Sequence, residues 1–208
     1  MQQPTSRESN ETSVLSQLRC IAPPRRALTL PGALRVAELQ AERLLTLGWV
    51  STPPIPLAVL ELQPRIRIEY DFDMPAAVSG VSDWDYGSQR WIITINGGQP
   101  TTRQRFTVLH EYKHILDHGR LALRTDPTRR YWGLPPDEFV ADYFAGCTLV
   151  PRSLLERAWT CGTRDVASLA QQFDVSERAI EVRLEQAGLT PTQGRCGERV
   201  AAMKRRAT

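Results

Sequence analysis

The sequence predicts an α+β fold: a small twisted sheet packed on a pair of helices, followed by a helical C-terminal unit. Three observations predict it. Residues 65–70, Arg-Ile-Arg-Ile-Glu-Tyr, alternate strictly between polar and apolar, as a half-buried strand does. From Thr101 the texture changes to the helical period, in two long segments separated by a Gly- and Pro-containing connection. After Pro151 come three short helix-forming segments whose last two have the spacing of a helix-turn-helix unit.

Each element follows from local chemistry. Residues 1–30 are rich in Ser, Thr, Gln, Arg and Pro without a sustained period and read as a flexible N-terminal extension. The domain over 31–150 opens with an amphipathic helix, Pro31 near its start and Gly48 past its end. A Pro-rich turn at Thr52-Pro53-Pro54 leads to an apolar run over 57–62 and then to the alternating strand. A strand pair is expected at Ser79–Asp85 and Arg90–Asn96, joined through Tyr86-Gly87-Ser88. The first long helix runs from Thr101 to a stop at Gly119, and the second from Asp137 to Val150, between Pro135-Pro136 and Pro151. Their connection, 119–136, is long and carries Tyr131 and Trp132, which nominates it for function. The unit over 151–190 holds helices at Ser153–Trp159, Val166–Phe173 and Ser176–Ala187, and 191–208 reads as a basic flexible tail.

Composition narrows the function classes. In 208 residues, 41% are hydrophobic and 24% charged, so the chain as a whole is not disordered. The formal charge of +3 is too small to nominate nucleic acid or a membrane surface as partner. Four scattered cysteines form no CxxC and read as reduced thiols. No signal-peptide core and no membrane span are visible, so a cytoplasmic protein is expected.

All three histidines fall between positions 110 and 118, and two belong to His110-Glu111-Tyr112-Lys113-His114. This is HExxH on a predicted helix. Residues four apart share a helix face, so two imidazoles can grip one ion, with zinc the expected metal. A hydrolytic zinc site takes three protein ligands and leaves one position open. His118 lies about 12 Å along the helix from His110, too far to share the ion, and reads as a residue of the surroundings at the helix C-terminus. Glu138 is the better third ligand, with Asp142 one turn on to accept the outer N–H of a ligating histidine. Both acids also fit a bland reading as helix N-terminal carboxylates, less so Asp142 in the second turn. Glu111 projects beside the ion and suits the general base, passing the proton of an activated water to the leaving amine. Tyr131 is a candidate transition-state or substrate contact, and the Trp91–Asn96 strand is expected to offer its edge to the substrate.

These residues resemble the ImmA/IrrE metallo-endopeptidases. The run Arg103-Gln-Arg105-Phe106-Thr-Val-Leu-His110-Glu111-Tyr-Lys-His114, then Glu138-Phe-Val-Ala-Asp142-Tyr-Phe144-Ala145 and Leu149-Val-Pro151, is similar to that family's pattern over roughly residues 31–190. The resemblance implies a gluzincin-like site: His110, His114 and Glu138 on zinc, Glu111 as base. It implies a bacterial cytosolic anti-repressor that cleaves a helix-turn-helix transcriptional repressor of a mobile element or stress regulon. The chain departs from the pattern at Tyr112-Lys113, where Leu-Gly is common, and at Gly146-Cys147-Thr148.

The rival reading is a DNA-binding or metal-sensing regulator with little peptidase activity, built on the spacing over 166–184. Glu177, Glu181 and Glu185 on the would-be recognition helix disfavour contact with phosphates.

Overall fold

The structure, a computed structural model, describes residues 13–189 except 24–26, 62, 125, 127 and 132. The first twelve residues, Trp132, Cys196 and the expected basic tail lie outside the described residues. Residues 13–30 correct one expectation. Ser13 caps a short helix, α1 (Val14–Arg19), by accepting from Ser16 N–H, and Leu15 and Leu18 of that helix are buried. Six residues are too few for a period to register in sequence. Burial holds α1 instead, each leucine contributing about 2 kcal/mol, and the buried Gln40 amide donates to Leu18 O at 3.1 Å.

Strand β1 (Ala27–Leu28) and Thr29 lead into α2 (Leu30–Leu47), where the Thr29 hydroxyl accepts from Gly32 N–H and Pro31 occupies the first turn. Its buried stripe, Ala33, Ala37, Ala41 and Leu44, has helical spacing and packs on α5. A single turn, α3 (Ala58–Glu61), replaces the apolar run.

The main sheet has β2 (Ile66–Asp71), β3 (Gly80–Asp85) and β4 (Arg90–Asn96) in the order β2-β4-β3, with β2 parallel and β3 antiparallel to β4. β4 is therefore central, and both its edges are used. The expectation that it adds the substrate as an extra strand is corrected on that ground; the free edges belong to β2 and β3. Ile93 and Ile95 turn from β4 into the core.

Helix α4 (Thr101–Asp117) lies across this sheet, and α5 (Pro136–Leu149) packs on it. The connection between them holds β5 (Ala122–Leu123), parallel to β1, and a bridge between Tyr131 and Leu134. Helices α6 (Arg152–Thr160), α7 (Val166–Phe173) and α8 (Glu177–Ala187) close the fold. Asp165 and Ser176 cap α7 and α8 by accepting from Ser168 N–H and Ala179 N–H. Leu155, Phe173, Ile180 and Leu184 join the same core as the sheet and α4.

Candidate metal centre

Helix α4 is held near its N-terminal end and from behind. Arg103 donates to Ser79 Oγ, and Arg105 donates to Asp174 O and Ile55 O while pairing with the Asp174 carboxylate at 3.1 Å. Behind the helix, Tyr112 OH donates to Gln63 Oε1 at 2.9 Å. The fully buried Lys113 ammonium donates to Gln40 Oε1 at 2.8 Å and to Asp117 Oδ1 at 2.6 Å. So Tyr112-Lys113, unusual for the pattern the chain resembles, is anchored by partners of its own. The opposite face presents His110, Glu111 and His114, each half-buried.

From α5, Glu138 and Asp142 meet that face. His110 Nε2 and His114 Nε2 stand 3.0 Å apart. Glu138 Oε2 is 3.2 Å from the first and Oε1 is 3.4 Å from the second. Donors bound to one tetrahedral ion at about 2.0–2.1 Å are about 3.3 Å from each other. The two imidazole nitrogens and the Glu138 carboxylate, with one oxygen toward each nitrogen, are thus near that spacing, and the His-His-Glu group can hold a metal ion. On the other side of the ring, His110 Nδ1 is 2.8 Å from Asp142 Oδ1. That hydrogen bond leaves the Nε2 lone pair aimed at the cluster.

The electrostatics agree. Burial works against charge on His110, but hydrogen bonds and charge from Asp142 and Glu138 outweigh it and push its pKa up to about 9. Hydrogen bonds from His110 and His114 hold the Glu138 carboxyl far below the usual carboxylate range, against burial. The pocket therefore stabilises positive charge at the point where the donors converge.

Glu111 stands outside the donor group. Its Oε2 accepts from Ser82 Oγ at 2.8 Å, so β3 supplies a residue that the sequence reading did not single out. Two local features bring β3 this close. Gly80 lies against α4, where a Cβ would come within 2.7 Å of Thr107 Cγ2 and 3.0 Å of Thr94 O. Buried Asn96 donates to Pro75 O at 3.1 Å and Val78 O at 2.8 Å, shaping the loop that enters β3. The available signal was Ser82 itself, a polar residue between Gly80 and Trp84 on the inward-facing alternation of β3.

The other two expected site residues make ring contacts. His118, the C-cap of α4, sets its ring 5.0 Å from Trp91 in an edge-on contact and is not part of the His110–His114–Glu138 group. Tyr131 stacks on Phe139 at 5.7 Å, beside Glu138 in sequence, and Arg129 lies 5.1 Å over its ring.

A helix pair that converges an HExxH motif and a glutamate next to a small mixed sheet defines a domain of the metallopeptidase class. The chain belongs to the Peptidase_M78 family, the IrrE N-terminal-like domain, whose family model matches residues 64–185. Among solved structures it is similar in fold to a Mycobacterium tuberculosis transcriptional regulator, at 16% identity and a TM-score of 0.51. That likeness covers 88% of this chain and 53% of the regulator. No curated protein matches the chain. Among the described residues no helix is long and apolar enough to cross a membrane.

Proposed function

We propose that this protein is a zinc-dependent endopeptidase that hydrolyses a peptide bond in one protein partner, a helix-turn-helix repressor, in the cytoplasm and thereby relieves repression. The observation that supports this most is the 3.0–3.4 Å spacing of the donors on His110, His114 and Glu138. His110, His114 and Glu138 would hold the zinc, which would supply a Lewis acid that polarises the scissile carbonyl and acidifies water. Asp142 fixes the tautomer and orientation of His110. Glu111 accepts a proton as water oxygen adds to the scissile carbonyl carbon, and returns it to the amine nitrogen as the C–N bond breaks. Ser82 occupies one carboxylate oxygen of Glu111 and so leaves the other for the proton. The free edge of β3, which carries Ser82, offers unpaired backbone groups to an extended substrate.

This reading outranks a DNA-binding one because α8 exposes Glu177, Glu181 and Glu185 against Arg178, while Arg183 is buried in packing. The deciding experiment incubates the zinc-loaded chain with candidate helix-turn-helix repressors from the same genome, with and without a chelator, and reads fragments by mass spectrometry. Cleavage that disappears with the chelator and in Glu111→Gln is expected. Candidates that all stay intact after incubation with the loaded chain overturn the proposal.

A further inference from the structure

Helices α4, α5 and α8 line most of an open cavity of about 550 Å³. Phe106, Phe139 and Val182 give it apolar walls, and its lining includes Asp142, the residue that holds His110, so it opens beside the metal centre. Arg183 also lines it and is only 5% exposed. Every partner of that guanidinium is neutral: Nε donates to Val150 O at 3.1 Å, Nη1 donates to Gln186 Oε1 at 2.7 Å, and Tyr143 places its ring centroid 5.8 Å away. Two of its five N–H donors are used in these bonds, and among the described residues it pairs with no carboxylate. A cation this buried ordinarily has an anionic partner, because desolvation is repaid only by pairing. Gly146 makes room for it, since a Cβ there would come within 3.3 Å of Arg183 Cδ.

We propose that this cavity binds a carboxylate carried on an apolar body, with the Arg183 guanidinium taking the carboxylate and the phenyl rings of Phe106 and Phe139 taking the body. Such a group comes from one of two sources. It is either an acidic side chain of the protein substrate or a free amphipathic acid. The first has a positional consequence. Gly146, where Arg183 crosses α5, follows Glu138 by eight residues, about 12 Å along the helix. An extended peptide spans that distance in three to four residues. A substrate would therefore carry Asp or Glu at the third or fourth residue from the cut bond. That source rests on the peptidase reading; the binding of the acid does not.

The test titrates the full zinc-loaded chain with 4-phenylbutyrate and with its neutral amide, following ligand NMR signals. The acid is expected to bind at least tenfold more tightly than the amide. Arg183→Met should remove that difference, and Ala179→Trp, which fills the cavity from α8 and keeps the guanidinium, should block both ligands. Thermal melting checks that each variant folds; if Arg183→Met does not, the acid-to-amide ratio and Ala179→Trp still decide. Equal binding of acid and amide, no binding of either, or acid binding untouched by Ala179→Trp overturns the proposal. A cleavage profile on a proteome-derived peptide library then separates the sources: enrichment of Asp or Glu at the third or fourth position assigns the substrate, and its absence assigns the free acid. If no peptide is cut, the peptidase reading fails while the titration still stands or falls by its own result.

Discussion

Ser82 Oγ donates to Glu111 Oε2 across 2.8 Å, tying the edge strand of the sheet to the residue that follows the first histidine of HExxH. The bond restricts the carboxylate of Glu111 without touching the donor group. Ser82→Ala should therefore keep full zinc stoichiometry and KM while lowering kcat about tenfold, the worth of one hydrogen bond to a charged group at about 1.5 kcal/mol. Steady-state cleavage beside metal analysis checks this. A kcat within twofold of the parent would remove Ser82 from the mechanism.

Metal retention should separate Glu138 from Asp142. Glu138 turns one carboxylate oxygen toward each histidine nitrogen, so if it is a ligand of the proposed zinc, Glu138→Ala should lose stoichiometric metal in chelator-treated buffer. Asp142 acts through His110, so Asp142→Asn should still bind zinc, weakened roughly 10- to 100-fold. One zinc per chain in Glu138→Ala would sink its assignment as a ligand.

Lys113 and Asp117 form a pair behind the site, the lysine fully buried and the aspartate side chain 19% exposed. Burial lowers the Lys113 pKa and raises that of Asp117, each opposed by the partner. Lys113→Met leaves the Asp117 carboxylate and the Gln40 carbonyl without their donor, and should cost about 3 kcal/mol in urea unfolding. Adding Asp117→Leu should recover most of the loss, because replacing both partners by apolar groups is far less costly than removing one. Lys113→Met unfolding at the parental urea concentration would show that the pair contributes nothing.

The metal-free chain should have a distinctive dependence on pH. Its His110 has a pKa of about 9 against 6.5 ordinarily, so its contribution to stability is complete below pH 6.5 and is lost as pH rises through 9. Glu138 is shifted down from 4.5, so its contribution is present above pH 4.5 and is lost as pH falls through its depressed value. Chelator-treated protein should therefore unfold at a lower urea concentration at about pH 9 than at about pH 5.5. A midpoint that is flat or rises over that interval contradicts the assignment.

How much of this was legible in the sequence depended on distance along the chain. His110 with His114, and Glu138 with Asp142, are pairs one helical turn apart, so a period of 3.6 residues is enough to place each pair on one face. The hairpin of β3 and β4 is equally local. The order of the sheet is not: β2 reaches β4 in parallel across an intervening strand, and alternation within a strand says nothing about which edge it uses. Alternation in β4 therefore suits an edge as well as a centre, and nothing local links Ser82 to Glu111, 29 positions on. Helix rise separates His118 from the ligand pair, but its contact with Trp91 depends on the sheet. Helix α1 is illegible for a different reason, its burial being decided by α2 and α4 and not by its own six residues.

The burial of Lys113 also makes a reporter of the chain. The protein has two lysines, and the other, Lys204, lies outside the described residues. Between residues 13 and 189, a lysine-specific protease has no point of attack except one inside α4, with its ammonium sealed against Gln40 and Asp117. A cut after Lys113 therefore registers an opening that releases that helix, by itself or with the whole fold, and its rate reports how often the HExxH helix is exposed.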